Sequence, residues 1–171
     1  FTRVLTRSFS HVDTLGYEYD ILLKEPRSAP IKNFFEYDLN KGADKATWRN
    51  MPKYDIIIFA EVIEHLFVPA ETALQYVQSL LNDEGLIFLQ TPNATSLEKR
   101  LRMLVGQPPF DRISAGHFRE ITREEIIESG DQAGLTCIFH EFKDYFGVNG
   151  SIIKKLAGFF IHQIGRLFPS L

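Results

Sequence analysis

The chain has 171 residues, 44% of them apolar, and a formal net charge of −3 at neutral pH. That length suits one domain with a packed core, and that charge gives no global attraction to nucleic acid. The single cysteine, Cys137, excludes an internal disulfide framework, and no secretory leader or membrane-length apolar run is present, so a reducing, cytoplasmic setting is expected.

Taken in order, the chain alternates helical and strand patterns. Phe1, Val4, Leu5 and Phe9 share one helical face, which predicts the tail of an amphipathic helix over residues 1–9. His11 to Glu18 predicts a strand, with Glu18 at its end and Tyr19 and Asp20 beside it. Residues 22–30 hold two prolines and scattered charge, a short helix or loop. Ile31 to Tyr37 predicts a second strand, which runs out into Glu36-Tyr37-Asp38-Leu39. Residues 40–53 are polar and punctuated by Gly42 and Pro52, so they carry at most a short helix.

The next stretch organises the rest. Ile56 to Ala60 is a run of five apolar residues rich in β-branched side chains, too short for an ordinary helix. It predicts a strand buried on both faces, the interior of a parallel sheet covered by helices. Directly after it come Glu61, Glu64 and His65. Ligands in open α/β sheets bind just beyond the carboxyl ends of the strands, so this titratable cluster is the first candidate site.

Residues 69–82 predict a helix through Ala73, Leu74, Val77, Leu80 and Leu81, with a turn ending at Gly85. Leu86 to Gln90 predicts a strand that ends in Thr91-Pro92-Asn93, and a basic amphipathic helix follows over residues 96–105. Residues 107–116 read as an ordered loop. Thr122 and Glu125 stand at capping-box spacing, with Ile121 and Ile126 placed as a hydrophobic staple. That helix is expected to stop near Gly134, before a strand from Leu135 to Phe142 that would bury Cys137 as an inert thiol. Residues 151–167 predict a last amphipathic helix whose only charges are Lys154, Lys155 and Arg166. His11, His140 and His162 have no partner by spacing and are expected at the surface or satisfied in the core. The alternation predicts an α/β sandwich with a mostly parallel sheet.

The ordered set Gly16-Tyr17-Glu18, Tyr37-Asp38-Leu39, Tyr54 to Leu66, Gly85 to Asn93 and His117 to Glu125 resembles the class I S-adenosylmethionine-dependent methyltransferases. It looks most like the branch that holds the ubiquinone-biosynthesis O-methyltransferases. The resemblance covers residues 1–146 and implies a single domain over 1–171, a Rossmann-like three-layer sandwich, with residues 147–171 as a C-terminal amphipathic segment. It implies that Glu18, with Tyr19, receives the ribose hydroxyls of S-adenosylmethionine, that Asp38 and the Leu39 backbone meet the adenine, and that Glu61 belongs to the cofactor side of the site. His65 is then a candidate base. The implied reaction is methyl transfer to an oxygen or nitrogen of a small lipophilic or aromatic acceptor, with peripheral membrane contact through residues 151–167 as a further expectation.

One departure stands out: the Gly-rich loop that precedes the first helix in this family is absent, and a last sheet-edge strand is also missing. The chain is therefore expected to be a fragment, incomplete at both ends of the fold. The Glu61-x-x-Glu64-His65 spacing, with His117 farther on, is also similar to that of small-RNA 3′-end 2′-O-methyltransferases. Those enzymes hold a divalent ion with two Glu and two His, which here implies Mg, Mn or Zn on Glu61, Glu64, His65 and His117. Other family members carry the same spacing with no metal, and both readings stay open. So do two other functions. One is a degenerate domain that binds a nucleoside or a partner without transferring methyl. The other is a nicotinamide-dependent oxidoreductase, against which Asp38 and the Glu-Glu-His cluster speak.

Overall fold

The computed structural model describes residues 2–16, 31–108 and 116–142. Glu18, Tyr19, most of the 107–116 loop and the basic segment 151–167 lie outside those residues. Helix α1 (Thr2–Ser8) leads into β1 (Thr14–Gly16), which pairs in parallel with β2 (Phe34–Glu36). Two single-turn 3₁₀ segments, Leu39–Lys41 and Lys45–Thr47, then fill the polar connection, each capped by an aspartate: Asp38 accepts from the Asn40 amide, and Asp44 from the Ala46 amide. Strand β3 (Tyr54–Ala60) pairs in parallel with β4 (Leu81–Gln90), and helix α2 (Ala70–Ser79) makes the crossover between them. Helices α3 (Leu97–Leu104) and α4 (Arg123–Gln132) follow. Parallel strands joined through helices are the Rossmann-like arrangement expected of the sequence.

Hydrogen bonds at both ends align the two strand pairs. Near the strand starts, the Tyr54 hydroxyl donates to Asp13 Oδ2 at 2.8 Å. Past the strand ends, the Phe67 amide donates to Asn40 Oδ1 at 2.7 Å. The loops that follow β2 and β3 therefore gather on one edge, where the candidate residues stand.

The core lies on one face of β3 and β4. Strand alternation sends Ile57 and Phe59 of β3, with Ile87 and Leu89 of β4, toward Ala70, Ala73, Leu74 and Val77 of α2. The opposite face is not covered: Ile56, Leu86 and Phe88 are 46%, 51% and 55% exposed. This corrects the expectation that β3 is buried on both faces. An apolar run shows that a strand can be covered twice, and among the described residues only one helical layer is in place.

Strand β4 also begins earlier than its composition suggests. The Tyr54 amide donates to Leu80 O and Tyr54 pairs with Leu81, which draws Asn82 to Gly85 into the strand instead of leaving them as a turn. Two steps along β3, from 54 to 56, match five along β4, from 81 to 86. Gly85 permits that bulge, because a Cβ there would come within 2.9 Å of Tyr54 O.

The capping box of α4 forms as the spacing predicts. Thr122 Oγ1 accepts from the Glu125 amide at 3.2 Å, and Glu125 Oε2 accepts from the Thr122 amide at 2.7 Å. Residues 135–142 do not form the predicted strand. They stand off β4 across an open cleft of about 1430 Å³, with Ile138 and Phe139 each 77% exposed. With no ladder to hold that segment, Cys137 is exposed rather than buried, its thiol 3.6 Å from Phe139 O.

Candidate functional site

The site is built where β3 ends. Glu61 is in the left-handed region with φ 55°, the one non-glycine residue there among those described. Holding an L-residue in that region costs about 1–2 kcal/mol. Its amide donates to Gln90 O at 2.9 Å, and its Oε1 accepts from Gln90 Nε2 at 3.1 Å, so it is tied to the end of β4.

The chain then makes a single 3₁₀ turn, Ile63–His65, with no side-chain cap at Val62. Ile63 and Glu64 are both fully buried. For Ile63 that is ordinary core packing. For Glu64 it is costly, because a carboxylate out of water loses its hydration unless donors replace it. Here a single side chain does so: Thr91 Oγ1 donates to Glu64 Oε2 at 3.2 Å. The other oxygen, Oε1, is buried without a hydrogen-bond partner. Desolvation, helped by the neighbouring negative charge of Glu61, pushes the Glu64 carboxyl above the ordinary carboxylate range.

His65 is held by a main-chain acceptor. Its Nδ1 donates to Gly116 O at 3.0 Å, which fixes the neutral tautomer and leaves the Nε2 lone pair available. The Gly116 backbone has φ 75°, a conformation suited to glycine. The ring of His117 meets that of His65 edge-on, with centroids 4.6 Å apart. The 116–119 segment is further joined to the turn by the Phe118 amide, which donates to Glu64 O at 3.0 Å. Arg119 reaches the same turn: Nη2 donates to Val68 O at 2.7 Å, while Nε and Nη2 lie 3.4 Å from Ile63 O. Phe67 and Phe118 stack beside the histidines, with centroids 3.8 Å apart and both rings exposed.

Of the residues singled out by sequence, Glu64, His65 and His117 come together, each offering a ligand atom within 4.8 Å of the others. Glu61 is not part of that group. Asp38 stands on the same edge of the fold, where its Oδ1 accepts from both the amide and the side chain of Asn40. Leu39 is half-buried and packs against both core clusters. Two residues at the site carried no assigned role, Thr91 and Arg119. The available signal was position: Thr91 directly follows a predicted strand, and Arg119 lies two residues past His117. The 1430 Å³ cleft touches Glu61 and Thr91 but not Glu64, His65 or His117, so that cleft and the titratable cluster are different places.

Among the described residues, no helix is long and apolar enough to cross a membrane. No curated protein matches the chain. A family model described as a methyltransferase domain matches residues 1–140, or 140 of the 171 residues. The chain therefore belongs to the methyltransferase domain family, whose membership implies S-adenosylmethionine as the methyl donor.

Proposed function

We propose that this domain methylates an oxygen or nitrogen of a small acceptor, with His65 as the general base. The observation that carries this reading is the His65–Gly116 hydrogen bond. It commits Nδ1 as a donor and leaves Nε2 to accept a proton, at the strand edge where ligands of α/β folds bind. When bound, S-adenosylmethionine supplies an electrophilic methyl on a sulfonium. The residues of this chain then have separate tasks. His65 Nε2 takes the acceptor proton. Glu64 places a carboxyl beside the imidazole. Asp38, Leu39 and Glu61, with Glu18 and Tyr19, are assigned to the nucleoside and methionine ends of the donor. The exposed Phe67–Phe118 pair and the acid-free, apolar sequence of 151–167 support a lipophilic or aromatic acceptor of the kind used by the ubiquinone O-methyltransferase branch, met at a membrane surface.

A second reading adds a divalent ion. The orphaned, buried Glu64 Oε1 and the mutual closeness of Glu64, His65 and His117 favour it, and one carboxylate with two imidazoles suits Zn or Mn better than Mg. Such an ion would lower the pKa of an acceptor hydroxyl. Glu61 is left outside this ligand set.

The test uses full-length protein, methyl-labelled S-adenosylmethionine and a panel of phenols, catechols and amines with and without prenyl tails. His65→Ala is expected to lower transfer by about 10²–10⁴-fold while donor affinity holds. Donor binding without transfer to any acceptor would favour the degenerate, non-catalytic domain. Calorimetric titration with Zn and Mn, repeated on His117→Ala, separates the metal reading from the base reading.

A further inference from the structure

We propose that Arg119 is a positioning residue for this site, a guanidinium latch that sets the orientation of Glu64 and His65 by gripping the main chain on either side of them. This rests on the reading of His65 as the base. The 63–65 turn is a single 3₁₀ turn without a side-chain cap, and its closing Leu66 amide to Ile63 carbonyl bond is long at 3.4 Å. A turn that short is marginal on its own, so its geometry must come from outside. Arg119 supplies it from two sides, through Val68 O at 2.7 Å and Ile63 O at 3.4 Å.

The choice of partner is informative. Among the described residues Arg119 forms no ion pair, and its donors go to carbonyl oxygens. A half-buried guanidinium whose hydrogen bonds go to neutral acceptors, with the Glu71 and Glu125 carboxylates acting on it only at longer range, is an expensive way to stabilise a fold, since a directly bonded carboxylate would return more Coulomb energy. It is a good way to fix two carbonyls relative to each other: Nη2 reaches both, and Nε adds a second contact to Ile63 O from the same rigid plane, an orientation that a freely rotating ammonium does not hold. Ile63 immediately precedes Glu64. Rotating its carbonyl also rotates the amide that follows, and with it the Glu64 and His65 side chains. The Phe118 amide on Glu64 O and the His65 bond to Gly116 O complete the seam.

The test reads the latch without needing the acceptor. In full-length protein treated with a chelator, the His65 Nδ1–H is followed by nitrogen-15 NMR, with the Leu74 amide of α2 as an internal reference for global opening. Arg119→Gln should speed Nδ1–H exchange by about tenfold relative to Leu74, the order expected from losing one such hydrogen bond. Arg119→Lys, which keeps the charge but loses the rigid planar fork, should fall between the two. Calorimetric affinity for S-adenosylmethionine should not change. The proposal is overturned if Arg119→Lys keeps wild-type exchange, or if His65 and Leu74 accelerate in step, which marks a purely structural residue. If Arg119→Gln does not fold, Arg119→Lys decides alone. Full methyl transfer by His65→Ala would remove the base reading while leaving the exchange result standing, so the two failures are distinguishable.

Discussion

Asp13 and Glu64 are both carboxylates held out of water, one beside the starts of β1 and β3 and the other just past the end of β3. The Asp13 side chain is 2% exposed and is surrounded by donors: Tyr54 Oη at 2.8 Å, His11 Nε2 at 3.0 Å, and the Asn33 amide and side chain, each at 3.0 Å. Burial alone would raise its pKa, but those bonds outweigh it and the carboxyl is held below its ordinary value. Glu64 has one side-chain donor and an orphaned oxygen, and its carboxyl is pushed up. Both sites carry a desolvation cost and meet it differently. Asp13 is a finished joint between the strand pairs. Glu64 is left with an unpartnered oxygen, in a cluster with two imidazoles, and that unfinished state is what supports the proposed site at this edge.

The largest effect should come from removing the finished joint. Asp13→Ala strands donors from three residues and should cost about 3 kcal/mol of stability, the scale for hydrogen bonds to a charged acceptor. Chemical denaturation would measure it. Glu64→Gln keeps the shape while removing a charge that burial disfavours, so its stability should stay within about 1 kcal/mol of wild type even as methyl transfer falls. A destabilisation matching that of Asp13→Ala would erase the contrast.

Acid titration sharpens the comparison because the two signs are opposite. The Asp13 contribution is present above its unfolded value of 3.8 and is lost as pH falls through the lowered folded value. The Glu64 contribution is greatest below its unfolded value of 4.5 and declines as pH rises through the raised folded value. Stability measured against pH should therefore lose part of its acid-side fall in Asp13→Asn, with the Glu125 share remaining, and its loss on rising pH in Glu64→Gln. The smallest effect belongs to Glu61→Gly. Relief of the left-handed conformation is offset by glycine entropy, leaving a gain of up to about 1 kcal/mol, with weaker donor binding if Glu61 serves the cofactor.

What the sequence made legible follows the range of the interactions. The capping box of α4 is written in residues three apart, and the helical spacing of α2 in a single turn-to-turn pattern, so both appear as expected. The His65–His117 encounter spans 52 positions and was reached only through a family resemblance. The role of Asp13 is not written locally, because two of its three donor residues come from positions 33 and 54. Thr91 and Arg119 were hidden for the same reason. Residues 135–142 depart in the other direction: their β-branched and aromatic content is right for a strand, but among the described residues no neighbouring strand pairs with them, and propensity without a ladder does not make one.

The acceptor that orients His65 is a peptide carbonyl, which no side-chain substitution can delete. A mutational scan at position 116 would report the strain of placing a Cβ at φ 75°, and would thereby record a backbone requirement where the operative atom is chemical. The tautomer of His65 is thus inherited with the path of the chain and not with the identity of a residue. Homologues could drift at every side chain around His65 and keep its proton on the same nitrogen. Only a change in the main chain itself would expose the dependence, such as replacing the 116–117 amide with an ester, which makes that carbonyl a poorer acceptor.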